Sequence, residues 1–146
     1  MPTRNGIAVW EGGFPDGSGK MTVGSETFAG PFSTASRFED GKGTNPEELI
    51  GAAHAGCFSM SLAHQLTEAG HTSKRIETTA DVTIEKKGDG FAITSITLNT
   101  RAEVSGVDED TFMKLAESAK ENCPVSRALA GVNITLEAEL VSAVSK

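Results

Sequence analysis

Apolar residues recur along this chain with two different periods, and the switches between them mark its elements. The clearest period-two stretch is the last. Val132, Ile134, Leu136, Ala138 and Leu140 alternate with polar residues, Glu137 and Glu139 among them, which predicts a half-buried strand. An earlier stretch, Thr78 to Lys86, sets Ala80, Val82 and Ile84 against Thr79, Asp81, Thr83 and Glu85. Gly88-Asp89-Gly90 then closes a hairpin with a long strand from Phe91 to Val104. In that strand Ile96, Leu98, Thr100, Ala102 and Val104 share one phase, while Phe91 and Ile93 fall out of it. A β-bulge near Thr94–Ser95 would reconcile the two.

The first third predicts short strands at Ile7 to Trp10, Met21 to Val23 and Glu26 to Ala29, separated by turn chemistry such as GGFPDGSG. The stretch PFSTASRFEDGKGTN is expected to be a long polar loop.

Between these regions the period becomes helical. Asn45 is a good N-cap, Pro46 suits the first helical position, and Glu48 stands three residues past the cap. The run LIGAAHAGCFSMSLAHQL that follows is apolar nearly all round, which predicts a helix buried on most sides. It should end near Glu68, with Gly70 as the residue after the cap. Gly51 and Gly56 each cost about 1 kcal/mol relative to Ala inside a helix. Either another helix approaches closely there, or the helix breaks. Asp108 caps a second, amphipathic helix with Phe112, Leu115 and Ala119 on one face. Pro124 interrupts it, and a short turn of helix resumes through Leu129.

The pattern is therefore α+β, in one domain over residues 1–146. One sheet and one further helix cover only about half of an all-round apolar helix. A second copy of the chain supplies the rest most simply, so an intimate homodimer is expected.

Composition adds exclusions. A chain of 146 residues can build a real core. Its net charge of −7 and lack of a basic cluster argue against a nucleic-acid partner. The first residues, MPTRNGIAVWEGG, lack the apolar run of a signal peptide, and no apolar run reaches the roughly 18–20 residues of a membrane span. A cytoplasmic location is expected, where a permanent disulfide would be unusual.

That setting makes the two cysteines informative. Cys57 lies on the apolar helix, and Cys123 precedes Pro124 at a helix end. Each has a plain reading: Cys57 as a small core hydrophobe, Cys123 as a helix C-terminus. The alternative is paired thiol chemistry. A residue before proline is pushed out of the α region, so Cys123 sits at a break where movement is cheap, as a resolving thiol requires. A reactive thiol also needs a cation or a helix N-terminus to lower its pKa. Arg37 and Glu47 are the candidate partners of Cys57, against the plain readings of a solvated surface charge and a first-turn glutamate. In an unbroken helix Glu47 and Cys57 would stand about 15 Å apart along the axis, so direct contact requires a break at Ala53–Gly56.

Rival chemistries fit less well. His54, three residues before Cys57, resembles half of a metal-ligand pair, with His64 and His71 further on, but the spacing does not match a structural zinc site. A Cys–His hydrolase with His54 or His64 as base lacks a recognisable orienting group. GKG at 41–43 is not a phosphate loop.

The segment RFEDGKGTNPEELIGAAHAGCFSMSL resembles the OsmC branch of the OsmC/Ohr family. ETTADVTIEKKGDGFAITSITL and AKENCPVSRAL resemble later segments of that family, in the same order. The resemblance implies an intertwined α+β homodimer, with antiparallel sheets wrapped around central buried helices and sites at the subunit interface. It implies a thiol peroxidase that reduces organic hydroperoxides, and hydrogen peroxide more weakly. By motif position Cys57 matches the peroxidatic cysteine, Cys123 the resolving cysteine, Arg37 the catalytic arginine and Glu47 the glutamate that holds it. No resident cofactor or metal is implied. The reductant would be an external dithiol, such as a dihydrolipoyl group. Phe14, Phe32, Phe58 and Met60 are the expected lining of an organic pocket. The competing reading is a redox sensor or small-ligand-binding dimer of the same fold, without turnover.

Overall fold

The computed structural model describes residues 1–142. They gather into two compact units, one from Met1 to Leu49 and one from Ile50 onward.

The first unit is an antiparallel meander of β1 (Gly6–Glu11), β2 (Ser18–Val23) and β3 (Ala29–Phe32). The first two strands lie where the pattern puts them. The third begins where the sequence reading ended it. Residues 24–28 are a turn instead, closed by Glu26 N–H to Val23 O and Val23 N–H to Phe28 O. Glu26 takes a left-handed φ of 64° there, which no strand accommodates.

The expected loop after β3 is also corrected. Thr34–Phe38 is a short helix, α1, started by a capping box. Ser33 accepts from Ser36 N–H, and the Ser33 N–H donates to Ser36 Oγ. Polarity marked this stretch as loop because its box uses serine where glutamate is the usual signal.

Helix α2 (Pro46–Glu68) starts as the sequence indicates, with Asn45 Oδ1 accepting from Glu48 N–H at 2.7 Å. It ends in a Schellman turn. His71 N–H reaches Leu66 O, Gly70 N–H reaches Thr67 O, and Gly70 has φ +89°. There is no break at Ala53–Gly56.

The second unit holds β4 (Ser73–Lys87), β5 (Gly90–Val104), α3 (Glu109–Asn122), α4 (Pro124–Ala128) and β6 (Asn133–Ser142). β4 and β5 form the expected hairpin, with Gly88 at φ +59° in a two-residue turn. The bulge falls as the phase argument requires. Thr83 pairs with Ser95 and Ile84 with Ile93, which leaves Thr94 without a partner.

The expectation of purely antiparallel sheets does not hold. β6 runs parallel to β5, with Ile96 beside Ile134 and Leu98 beside Leu136. The intervening α3 and α4 carry the chain back to the end at which β5 began, as a parallel pairing demands.

The core of this unit joins Phe58, Leu62 and Leu66 of α2 to Ile96, Leu98, Ala102 and Val104 of β5 and Phe112, Ala116 and Ala119 of α3. Gly51 belongs to the same packing. A Cβ there would meet Ala80 O at 3.0 Å and Val82 Cγ2 at 3.4 Å.

In the single chain α2 is not buried on most sides. Gly51, His54, Phe58, Leu62 and Leu66 form its covered face, while Ala52, Ala53, Gly56 and Met60 stay exposed, Met60 by 76%. Among the described residues no helix is long and apolar enough to cross a membrane.

Candidate functional site

The four candidate residues form two pairs, one in each unit. Local sequence explains both.

In the first unit α1 presents Arg37 and the start of α2 presents Glu47. The approach is fixed by backbone ties. Ser36 Oγ donates to Thr44 O at 2.7 Å, and Asn45 Nδ2 donates to Ser36 O at 3.0 Å. Gly43, at φ +117°, runs so close to Pro31 that a Cβ would lie 2.6 Å from its carbonyl oxygen. The result is a two-pronged ion pair. Arg37 Nε donates to Glu47 Oε1 at 3.1 Å, and Nη2 donates to Oε2 at 2.8 Å. Glu47 is buried, while the arginine side chain is 37% exposed. The hydrogen bond to Glu47 raises the guanidinium pKa, burial opposes it, and the carboxylate's charge adds to the rise. Since arginine is charged at any working pH, the pair matters chiefly for aim. Glu47 uses Nε and Nη2, which leaves the Nη1 edge to act elsewhere.

Arg37 also borders a cavity of about 270 Å³ walled by Trp10, Phe14, Phe32 and Phe38. Its guanidinium carbon lies 5.3 Å from the centre of the Phe38 ring, and the Trp10 and Phe32 rings are 5.4 Å apart. Phe14 and Phe32 thus line a hollow as expected. Phe58 does not, being wholly buried in the core of the second unit. Sequence reading missed Trp10 and Phe38. Trp10 is the chain's single tryptophan, and Phe38 directly follows Arg37.

In the second unit α2 presents Cys57, and the junction of α3 and α4 presents Cys123. Pro124 makes that junction by opening α4 at its first position and leaving Cys123 extended, at φ −60° and ψ 126°. Both thiols are free, and their sulfurs are 2.9 Å apart, with Cys123 donating to Cys57. Their burial is the reverse of the sequence reading. Cys123, expected at a loose hinge, is fully buried, and Cys57 is only half-buried. The two sulfurs already meet, so condensation needs no large excursion of Cys123.

Burial pushes the Cys57 pKa up, and the hydrogen bond and charge of Cys123 push it further. The backbone N–H of Val125, in the first turn of α4, pulls it down. The expected helix N-terminus therefore exists, but it belongs to α4 and not to a break in α2. His54, on the same helix as Cys57, is bonded to Ser126, its Nε2 lying 2.7 Å from the serine oxygen.

The arrangement is that of a two-thiol redox protein, with an oriented cation beside an aromatic hollow in its other unit. Comparison with known proteins agrees. The OsmC-like protein family matches residues 39–137. Peroxiredoxin OsmC of Escherichia coli (strain K12) is 48% identical over 140 residues, covering 95% of this chain and 97% of that protein. Organic hydroperoxide resistance protein OhrB of Bacillus subtilis (strain 168) is 32% identical over 100 residues, 67% of this chain and 70% of OhrB. The crystal structure of OhrB of Bacillus subtilis superposes with a TM-score of 0.66 at 26% identity, covering 94% of this chain and 98% of that one. An OsmC-like protein from Mycoplasma pneumoniae shares the fold, with a TM-score of 0.76 at 16% identity over 96% of this chain and 98% of that one. The chain belongs to the OsmC family.

Proposed function

We propose that this protein is a cysteine-dependent hydroperoxide reductase. One observation carries the reading: two free thiols with sulfurs 2.9 Å apart, the outer one half-exposed and the inner one buried. Cys57, as thiolate, attacks a peroxide oxygen. The O–O bond breaks, an alkoxide leaves and takes up a proton, and Cys57 becomes a sulfenic acid. The Cys123 thiol then attacks the Cys57 sulfur, water leaves, and a disulfide forms. An external dithiol, such as a dihydrolipoyl group, exchanges with that disulfide and is itself oxidised.

Ionising Cys57 works against its own surroundings, which push its pKa up. A cation is needed, and Arg37 is the residue to supply it, stabilising the thiolate and the leaving oxygen. Glu47 fixes the direction in which the guanidinium acts. The aromatic wall beside Arg37 favours hydroperoxides with an organic group over hydrogen peroxide.

The working unit is a homodimer. Gly56 supports this. A Cβ there meets nothing within 4 Å in the single chain, so the cost of a mid-helix glycine has no return until another surface approaches. The neighbouring Met60 supports it too, as a large apolar side chain left open. Because α2 is unbroken, the limit of about 15 Å between Glu47 and Cys57 stands within one chain, and a partner's arginine would answer it. A reducing cytoplasm suits a cycle that ends in two thiols.

The test is turnover. With a dithiol in excess, purified protein should consume many equivalents of cumene hydroperoxide. Consumption that stops after one equivalent per chain would make it a sensor or binder.

A further inference from the structure

His54 plays no part in the steps above, yet it is wholly buried. Its Nε2 bonds to Ser126 Oγ at 2.7 Å, and among the described residues its Nδ1 has no hydrogen-bond partner. An orphaned buried nitrogen is costly, and a leucine would avoid that cost. Burial lowers the histidine's pKa, so the ring is neutral and binds Ser126 without a buried charge.

The placement of this bond is informative. His54 stands three residues before Cys57, and Ser126 three residues after Cys123. The two contacts are therefore consecutive rungs between α2 and the start of α4, running in opposite chain directions. The Cys123 junction is otherwise held by packing and by backbone bonds within α3 and α4, Cys123 N–H to Ala119 O and Arg127 N–H to Cys123 O. Cys123 caps α4 without a side-chain cap bond, and the nearest side-chain tie from α2 to the α3 side is Ser61 Oγ to Ala119 O at a long 3.4 Å.

Oxidation makes the second rung decisive. Once Cys57 is a sulfenic acid, its sulfur carries an oxygen, and Cys123 must meet that sulfur from the side opposite the S–O bond that will break. Neither histidine nor serine is altered by that step. We propose that His54, acting through Ser126, is a positioning residue that keeps Cys123 against the oxidised Cys57 so that disulfide formation outruns overoxidation. The inference rests on the assignment of Cys57 and Cys123 given above.

The experiment is a single oxidation without reductant, at graded cumene hydroperoxide, scored by intact-protein mass spectrometry. The disulfide has lost two hydrogens, and the Cys57 sulfinic acid has gained two oxygens. Ser126→Ala and His54→Leu should lower the ratio of disulfide to sulfinic acid about tenfold, the scale of one lost hydrogen bond in the condensation step. The rate of the first oxidation should be unchanged. His54→Gln, whose amide can reach the serine, should recover most of the ratio, which a mere packing role would not predict. Circular dichroism confirms that each variant is folded. Should His54→Leu fail to fold, Ser126→Ala and His54→Gln still decide. A folded Ser126→Ala with the wild-type ratio overturns the inference while leaving the peroxidase reading intact. Wild-type protein that forms no Cys57–Cys123 disulfide overturns both.

Discussion

The two polar pairs of this molecule are held by opposite means. Arg37 and Glu47 are fixed by directed bonds: a bidentate ion pair, a capping box, and two side-chain ties between α1 and the residues before α2. Cys57 and Cys123 are fixed by packing. They lie beside a core of Phe58, Leu62, Phe112 and Ala119, with one sulfur wholly buried. A charge that must be aimed needs directed bonds and tolerates some water. Two sulfurs that must meet are served by close packing, and the partial burial that comes with it opposes the ionisation of Cys57. On the proposed function, the two tasks fall to different units.

The sharpest way to break this comparison is to remove the thiols in turn. Cys57→Ser should abolish reaction with hydroperoxide. Cys123→Ser should allow one sulfenic acid per chain and then stall or overoxidise, as mass spectrometry would record. The reverse pattern would exchange their roles.

Next in size is the charge. Arg37→Met should slow peroxide reduction about 10²- to 10³-fold, the usual consequence of losing one aimed donor. Arg37→Lys keeps charge without the fork and should fall between. Glu47→Gln should cost about tenfold, since it frees the arginine without removing it. The pH dependence of Cys57 alkylation in a Cys123→Ser background gives the cause. Arg37→Met should move that titration upward, and an unmoved curve would leave Val125 N–H as the activating group. Against the unmutated chain, Cys123→Ala should move the Cys57 titration downward, because Cys123 adds to the burial that holds the Cys57 pKa up.

Smaller effects separate the two glycines of α2. Gly51→Ala places a methyl 3.0 Å from a backbone oxygen of β4, so the urea midpoint should fall despite a better helix former. Gly56→Ala meets open space in the single chain and should gain about 1 kcal/mol there. If a second copy packs on that face, the same change loses stability and weakens association in sedimentation. The sign of the Gly56→Ala effect thus reports the dimer.

The smallest effect is in pH. Burial depresses the pKa of His54 in the fold below its ordinary 6.5. The unfolded chain therefore binds the proton first. The stability tied to neutral His54 is complete above 6.5 and is lost as pH falls toward the depressed value. His54→Gln should flatten that part of the stability curve, measured by urea midpoints between neutral and mildly acidic pH. An unchanged slope would mean that the imidazole is not the group titrating.

Most of the fold was legible where one side chain in two, or a cap, spoke plainly. The phase slip between Ile93 and Ile96 located the bulge at Thr94, and Asn45, Pro46 and Gly70 located both ends of α2. Capping by Ser36 was not legible, because serine at that position is a weak signal. Nor was the direction of β6, since alternation tells which face a strand buries and not which way it runs. The four candidate residues were legible as residue types, and the family resemblance supplied their expected roles. Their electrostatics were not, because the rise in the Cys57 pKa comes from burial and from Cys123, 66 positions away.

The parallel pairing of β6 has a consequence for heat resistance. It obliges the chain to cross back through α3 and α4, and Cys123 lies on that crossing, 66 positions from Cys57. A bond between the sulfurs would close a ring containing the rest of α2, both strands of the long hairpin, and α3. Chain-entropy arguments give such a ring up to about 4 kcal/mol, all of it taken from the unfolded ensemble. The oxidised protein should then melt several degrees above the reduced one with no change in its folded contacts. Resistance to heat or to protease would rise and fall with each catalytic cycle, so molecules waiting for their reductant would be the last to be cleared.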